Sequence, residues 1–112
     1  MNSPFVIDKL QNSKFVVSWP AMQDIQGNPA CYNLFKILFD DIKVDYASLF
    51  LTSMDNLLTV NSEIWYSKAA EQYTDWLMAQ YSIVGVLFEN KNHAEQLKEI
   101  LEKRYMWKIL KS

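Results

Sequence analysis

The chain has 112 residues, of which half are apolar, 14% are aromatic and 21% are charged. This length and this composition predict a single globular domain over residues 1–112 and exclude a disordered chain. The formal net charge of −2 disfavours nucleic acid and polybasic membrane binding, because phosphate-rich partners select an excess of Lys and Arg.

The single cysteine, Cys31, cannot form an internal disulfide. No apolar run approaches the roughly 20 residues that a bilayer-spanning helix needs. The first residues also lack the basic start and apolar core of a secretion signal. We therefore expect a cytoplasmic protein without membrane association.

The first part of the chain contains two β-rich runs and a helix. Residues 5–10 and 14–19 are separated by three polar residues, which is the spacing of a hairpin. Asn28 and Pro29 then predict a helix start, because Asn caps a helix and Pro is tolerated at its first position. This helix is expected to reach about Asp41. Its apolar residues recur three and four apart and share one face: Cys31, Leu34, Phe35, Leu38 and Ile42.

The middle of the chain leaves alternatives open. Residues 45–53 are predicted as a strand, with a short helix capped by Asp45 as the competing interpretation. Residues 57–60 and 63–66 flank Asn61 and Ser62, and this pattern is typical of two strands joined by a tight turn.

The last part of the chain predicts helix, strand and helix. A helix is expected from Lys68 to about Tyr81, a strand over residues 83–88, and a charged amphipathic helix from Asn92 to about Lys108 with Asn90 or Asn92 as its cap. The predicted buried stripes are Ala69, Tyr73, Trp76, Leu77 and Gln80 in the first helix, and Ala94, Leu97, Leu101 and Tyr105 in the second.

The predicted order β-β-α-β-β-α-β-α indicates an α+β fold, an antiparallel sheet with helices packed on one face. Its middle six elements follow the order of a ferredoxin-like sandwich, to which the first strand and the last helix would be additions. A hairpin over residues 57–66 would give a larger sheet, and the turn residues Asn61 and Ser62 favour it.

The sequence shows no catalytic constellation. His93 is the only histidine, and neither His-x-x-x-His nor Cys-x-x-Cys is present. Cys31 shares the apolar stripe of its helix, so we interpret it as a core residue rather than a nucleophile. We expect no catalytic residues, no metal, no cofactor and no enzymatic activity.

The aromatic residues are the feature that points to function. The sequence holds four Trp, six Tyr and six Phe, more rings than so small a core is expected to enclose. We predict that Trp65, Tyr105 and Trp107 anchor a protein partner and that Arg104 accompanies them, because interface energy concentrates in Trp, Tyr and Arg.

The leading hypothesis is therefore a small non-enzymatic protein-binding domain of regulatory or inhibitor type, which self-associates into a homodimer in one version. The alternative is a small-molecule sensor domain of ferredoxin-like architecture. Nucleic-acid binding is disfavoured because Glu95, Glu99 and Glu102 offset most of the basic charge of the last helix.

Overall fold

One five-stranded antiparallel sheet organises the protein, with the strands in the order β1-β2-β5-β3-β4. The computed structural model describes residues 4–19, 31–52 and 57–111, with side chains as far as residue 104. The strands of these described residues are β1 (Val6–Lys9), β2 (Phe15–Ser18), β3 (Tyr46–Leu51), β4 (Leu58–Asn61) and β5 (Ile83–Phe88). Their helices are α1 (Cys31–Lys36), α2 (Ser62–Trp65), α3 (Ala70–Gln80) and α4 (Lys91–Lys111).

The predicted α+β fold class and the predicted hairpin at the start of the chain are confirmed. β1 and β2 pair antiparallel around a 3₁₀ turn at Gln11–Ser13. Asn12 has a φ of 69° in this turn, a left-handed conformation that Asn adopts more easily than most residues. Ser13 follows with a φ of 59°. The strand predicted over residues 45–53 is also confirmed, as β3.

The predicted strand over residues 63–66 is wrong. The chain forms the short helix α2 there because Asn61 acts as its N-cap, its side-chain oxygen accepting a 3.0 Å hydrogen bond from the Glu63 amide. The amide of Ser62 donates to the carbonyl of Asp45, which fixes the helix beside the start of β3. Asn61 and Ser62 therefore start a helix and do not form a hairpin turn.

The sheet order places the last strand in its middle. β2 and β3 run parallel to each other, are connected through α1, and are separated by β5, which pairs antiparallel with both. This is a split β-α-β unit. A ferredoxin-like sandwich also has an inserted strand, but there it is the third of the four strands in the β-α-β-β-α-β unit. The third strand of that unit is here β4, which lies at the edge of the sheet. The predicted element order is thus present with a different strand order.

The helices pack on one face of the sheet, as predicted. Alternate residues of the strands point toward the helices and join the buried helix residues in one apolar cluster. Val17, Leu49 and Val86, which lie on adjacent strands, are fully buried in this cluster. Ala94, Leu97 and Leu101 of α4 are buried in the same cluster, which confirms the described part of its predicted stripe. α4 also starts as expected, with the Asn90 side chain capping the amide of Asn92.

The first helix continues beyond α1 as a π-helical segment, Ile37–Asp41. The amide of Ile42 donates to the carbonyl of Ile37, a bond that spans five residues. All five residues of the predicted stripe are buried, and the wider π turn buries Ile37 and Phe39 in addition. The predicted helix start at Asn28 and Pro29 lies outside the described residues.

The predicted stripe of α3 is partly wrong. Thr74 and Leu77 are its buried residues, and Tyr73 is half-buried beside them. Trp76, which the spacing placed on the buried stripe, is instead 53% exposed. The helix turns its Thr74 side to the core, and Trp76 therefore lies on the solvent side.

Candidate functional site

Four rings from three helices lie on the solvent side of the helical layer. Tyr32 in α1 is 47% exposed, Tyr66 directly after α2 is 65% exposed, and Trp76 in α3 is 53% exposed. Trp65, the last residue of α2, is half-buried. We call Tyr32, Trp65, Tyr66 and Trp76 the aromatic face.

Trp65 is held in place by contacts on two sides. Its ring lies 4.8 Å from the ring of Tyr32, measured between centroids and inclined at 57°. Its indole N–H donates a 2.9 Å hydrogen bond to the Asp40 carboxylate in the π-helical segment. The hydroxyl of Tyr66 donates a 2.8 Å hydrogen bond to the carbonyl of Phe39 in the same segment. The orientation of both rings is therefore fixed before any partner arrives.

Trp76 is supported by a chain of ring contacts into the core. Its ring centroid lies 5.8 Å from that of Tyr73, and Tyr73 lies 6.4 Å from Phe35, which is buried in α1. Exposed aromatic area backed by a rigid core is characteristic of interface anchors, because little side-chain entropy is lost on contact.

The helical segments that carry the aromatic face are acidic. α1, the π-helical segment, α2 and α3 together hold one basic and five acidic residues, a net charge of −4: Lys36 against Asp40, Asp41, Glu63, Glu71 and Asp75. α4 has the opposite balance, six basic and three acidic residues, for a net charge of +3. Three of its Glu residues form i,i+4 ion pairs with Lys, which leaves part of the basic charge unopposed.

The predicted contact residues Trp65 and Arg104 lie on different helices, α2 and α4. α2 contacts β4 and α3, whereas α4, which carries an exposed Arg104, contacts β1, β2, β5 and the π-helical segment. The side chains of Tyr105 and Trp107 lie outside the described residues, so their predicted contact role stays a prediction.

Three residues of the aromatic face were missed by the sequence analysis. Tyr32 lies off the apolar stripe of α1, and this helical position is the signal that could have identified it as exposed. Tyr66 follows Trp65 directly but was not predicted as a contact residue. Trp76 was assigned to the core because its spacing from Tyr73 matched one side of the helix.

Cys31 is a core residue, as predicted. Its side chain is 1% exposed and its amide N–H donates to the sulfur of Met78. Burial, with a smaller contribution from the charge of Asp75, raises the pKa of the thiol to about 12. The thiol is therefore protonated at neutral pH and a poor nucleophile.

A cleft of about 370 Å³ opens at the end of the sheet where β2 and β3 begin and β5 ends. His93, in the first turn of α4, lies at its edge and packs edge-on against Phe88 at 6.4 Å between ring centroids. Lys14 and Lys43 reach the cleft from two other segments. Sequence spacing gave no indication of this cleft, because four separate segments build it.

Two features are absent from the part of the chain that the structure describes. No helix there combines the length and hydropathy that crossing a membrane requires. No cluster of three or more His, Cys, Asp or Glu side chains there is arranged to hold a metal ion. Comparison of the chain with protein-family models, curated proteins and solved structures finds no match.

Proposed function

We propose that this chain is a small cytoplasmic protein-binding domain of regulatory or inhibitor type, without enzymatic activity, and that the aromatic face is its contact surface. The observation that carries the proposal is the pre-ordered Trp65, clamped between the ring of Tyr32 and the carboxylate of Asp40. An exposed group of Trp and Tyr side chains at fixed positions is the composition in which binding energy concentrates.

The charge around the aromatic face selects the chemistry of the partner. With a net charge of −4 on the helical segments that carry it, this surface favours a protein that presents Arg or Lys. Arg in particular can stack on an exposed ring and pair with a neighbouring carboxylate at the same time. The partner of this proposal is therefore a protein with a basic, Arg-bearing contact surface.

The test compares variants in affinity purification from the native host, followed by mass spectrometry. Tyr32→Ala and Trp76→Ala each remove an exposed ring, so folding should persist while partner binding falls about tenfold or more, since anchors of this kind contribute at least ~1.4 kcal/mol. Leu10→Ala is the control, because Leu10 is 41% exposed and follows β1, at the opposite edge of the sheet from β4 and α2.

The proposal requires one co-purifying protein that the wild type and Leu10→Ala capture and that both other variants lose. Its binding should also weaken as salt rises, because the complementary charges are screened. If the same protein is retained by both Tyr32→Ala and Trp76→Ala, the aromatic face is not the contact surface. Thermal denaturation of each variant, with little change in Tm, separates lost contact from lost fold.

Self-association is the second form of this proposal, and the face of the sheet that none of the described helices covers supports it. Val6, Tyr46, Phe50 and Leu87 point away from the helices there, and Val6 and Tyr46 are among the exposed large apolar side chains. Light scattering over a range of protein concentrations tests this form. A constant monomer mass at the highest concentration would remove it.

A further inference from the structure

The cleft at the end of the sheet combines an apolar wall with charged side chains. Val44, Tyr46, Leu87 and Phe88 supply apolar and aromatic surface. The volume of about 370 Å³ lies in the range of pockets that enclose small organic molecules. The cleft therefore has both the size and the wall chemistry of a ligand site.

The charged side chains of the cleft have no partners among themselves. Lys14, Lys43, Asp45 and Glu89 line it, and the structure gives none of these four an opposite charge within 4.0 Å among the described side chains. Lys14 is half-buried and lines the cleft, whereas Lys43, Asp45 and Glu89 are exposed. Two cations and two carboxylates that converge without pairing leave both signs available to a ligand.

We propose that this cleft binds a small zwitterion with an apolar body, the chemistry of a free amino acid with an aliphatic or aromatic side chain. The ligand carboxylate would pair with the Lys14 and Lys43 ammonium groups, and the ligand ammonium with Asp45 or Glu89. The two lysines and two carboxylates cancel in net charge, which disfavours polyanions such as nucleotides and favours a molecule with one charge of each sign.

The backbone at Lys43 strengthens this assignment. Lys43 has a φ of 66° and ends the π-helical segment in the left-handed conformation, a position that glycine usually occupies. The chain thus places a lysine where a side chain is unfavourable. A role for its ammonium in the cleft accounts for the presence of a side chain there.

The test uses L-phenylalanine and L-leucine as probes, with binding followed by isothermal titration and by amide chemical shifts of the ¹⁵N-labelled full chain. Both amino acids should bind saturably, and the largest shifts should fall on cleft residues such as Val44 and Asn90. N-acetyl-L-phenylalanine lacks the ammonium and L-phenylalaninamide lacks the carboxylate, so each should bind about tenfold or more weakly than phenylalanine. Glycine, which lacks an apolar body, should bind more weakly as well.

Two variants test whether Lys43 and Asp45 contact the charged groups of the ligand. Lys43→Met and Asp45→Asn should each weaken phenylalanine binding about tenfold, since each removes a charge-assisted contact and keeps the side-chain shape. Lys9→Met, at an exposed position of the edge strand β1, is the matched control and should bind as the wild type does. All four proteins should keep the same Tm without ligand, because the exchanged groups are exposed.

Three results would overturn the proposal. The first is no saturable binding of either amino acid up to about 10 mM, a concentration that corresponds to only a few kcal/mol of binding free energy. The second is equal binding of N-acetyl-L-phenylalanine, which would reduce the ligand to a simple carboxylate. The third is chemical-shift changes confined to other surfaces. The proposal is independent of the aromatic face, so its outcome leaves the protein-binding proposal unchanged.

Discussion

The indole N–H of Trp65 donates a 2.9 Å hydrogen bond to the carboxylate of Asp40, a residue 25 positions earlier in the chain. This bond ties the short helix α2 to the π-helical segment Ile37–Asp41. Desolvation of the phenol raises the pKa of Tyr66 above its usual value, and the nearby Asp40 carboxylate raises it further. One acidic residue therefore both orients a ring of the aromatic face and contributes to the raised pKa of its neighbour.

Substitution of Asp40 separates these two effects. Asp40→Ala removes the acceptor, so the indole N–H resonance of Trp65 should shift, and the free energy of unfolding should fall by about 1 kcal/mol. Asp40→Asn keeps an oxygen acceptor but removes the charge. In both variants the pKa of Tyr66 should move down toward its ordinary value, as followed by NMR titration.

The wild-type titration is the reference for this comparison. If Tyr66 ionises over the same pH range in the wild type and in Asp40→Asn, the carboxylate does not act on the phenol. If Asp40→Asn shifts the indole resonance as much as Asp40→Ala does, the charge of Asp40 rather than its acceptor oxygen positions Trp65.

Gly85 has a specific steric role on the face of the sheet opposite the described helices. A Cβ at this position would lie 3.0 Å from the Val17 carbonyl oxygen and 3.4 Å from the Cδ2 atom of Phe50. Gly85→Ala would gain about 0.4–1 kcal/mol from a less flexible unfolded chain, since the φ of Gly85 is not left-handed. Overpacking against a carbonyl that cannot leave the sheet costs about 1–3 kcal/mol. We expect a net loss of about 1–2 kcal/mol in urea unfolding.

A double-mutant cycle with Phe50→Leu identifies the contact responsible. Because the closer contact is to backbone, the double variant should recover little of the loss caused by Gly85→Ala. Full recovery would mean that the Phe50 ring, and not the Val17 carbonyl, opposes the added methyl group. Unchanged or increased stability of Gly85→Ala would show that the sheet absorbs a Cβ at this position.

The elements that follow from local patterns were predictable from the sequence. The spacing of Leu34, Phe35 and Leu38 predicts the buried face of the first helix, and the alternation through β3 predicts its strand. Residues 63–66 show where local patterns conflict. Ile64, Trp65 and Tyr66 favour a strand by propensity, but the capping side chain of Asn61 prevails and gives a helix.

The long-range relationships were not predictable from one sequence. The insertion of β5 between β2 and β3 depends on how faces pack and not on any local pattern. The same holds for the contact of Trp65 with Tyr32 and for the cleft that Lys14 and Lys43 share. The surplus of rings indicated a surface, but only tertiary structure shows which rings form it.

Lys43→Gly is expected to raise the free energy of unfolding by up to about 1 kcal/mol. Glycine adopts a φ of 66° without steric cost. The strain that it relieves in the folded state should exceed the conformational entropy that it adds to the unfolded chain. Lys9→Gly in β1 is the control and should lose stability, because glycine weakens a strand. A loss of stability in Lys43→Gly would mean that the lysine side chain itself stabilises the fold. If the cleft binds a zwitterion, Lys43→Gly should be more stable than the wild type and yet bind phenylalanine more weakly. A general loss of structure would lower both stability and binding.

The buried thiol of Cys31 predicts a specific loss of stability at alkaline pH. Its pKa is raised by burial from an ordinary 9.0 to about 12. Below pH 9 the thiol is protonated in both the folded and the unfolded state, and its contribution to stability is fully present. Between these two values the unfolded thiol ionises and the folded thiol does not. Unfolding is therefore favoured by about 1.4 kcal/mol per pH unit until the folded thiol ionises as well.

Cys31→Ala isolates this effect, because the variant lacks the titrating group. Burial raises the pKa of Tyr73 too, with a smaller contribution from the charge of Cys31. The effect of burial is common to both proteins and cancels in the comparison, whereas the Cys31 contribution is lost in the variant and belongs to the measured difference. From neutral pH to about pH 10.5, urea unfolding of the wild type should lose about 2 kcal/mol more than that of Cys31→Ala. Parallel losses in the two proteins would mean that the thiol reaches solvent in the folded state. A thiol reagent at mildly alkaline pH gives an independent check, since a side chain that is 1% exposed should react only as fast as the fold opens.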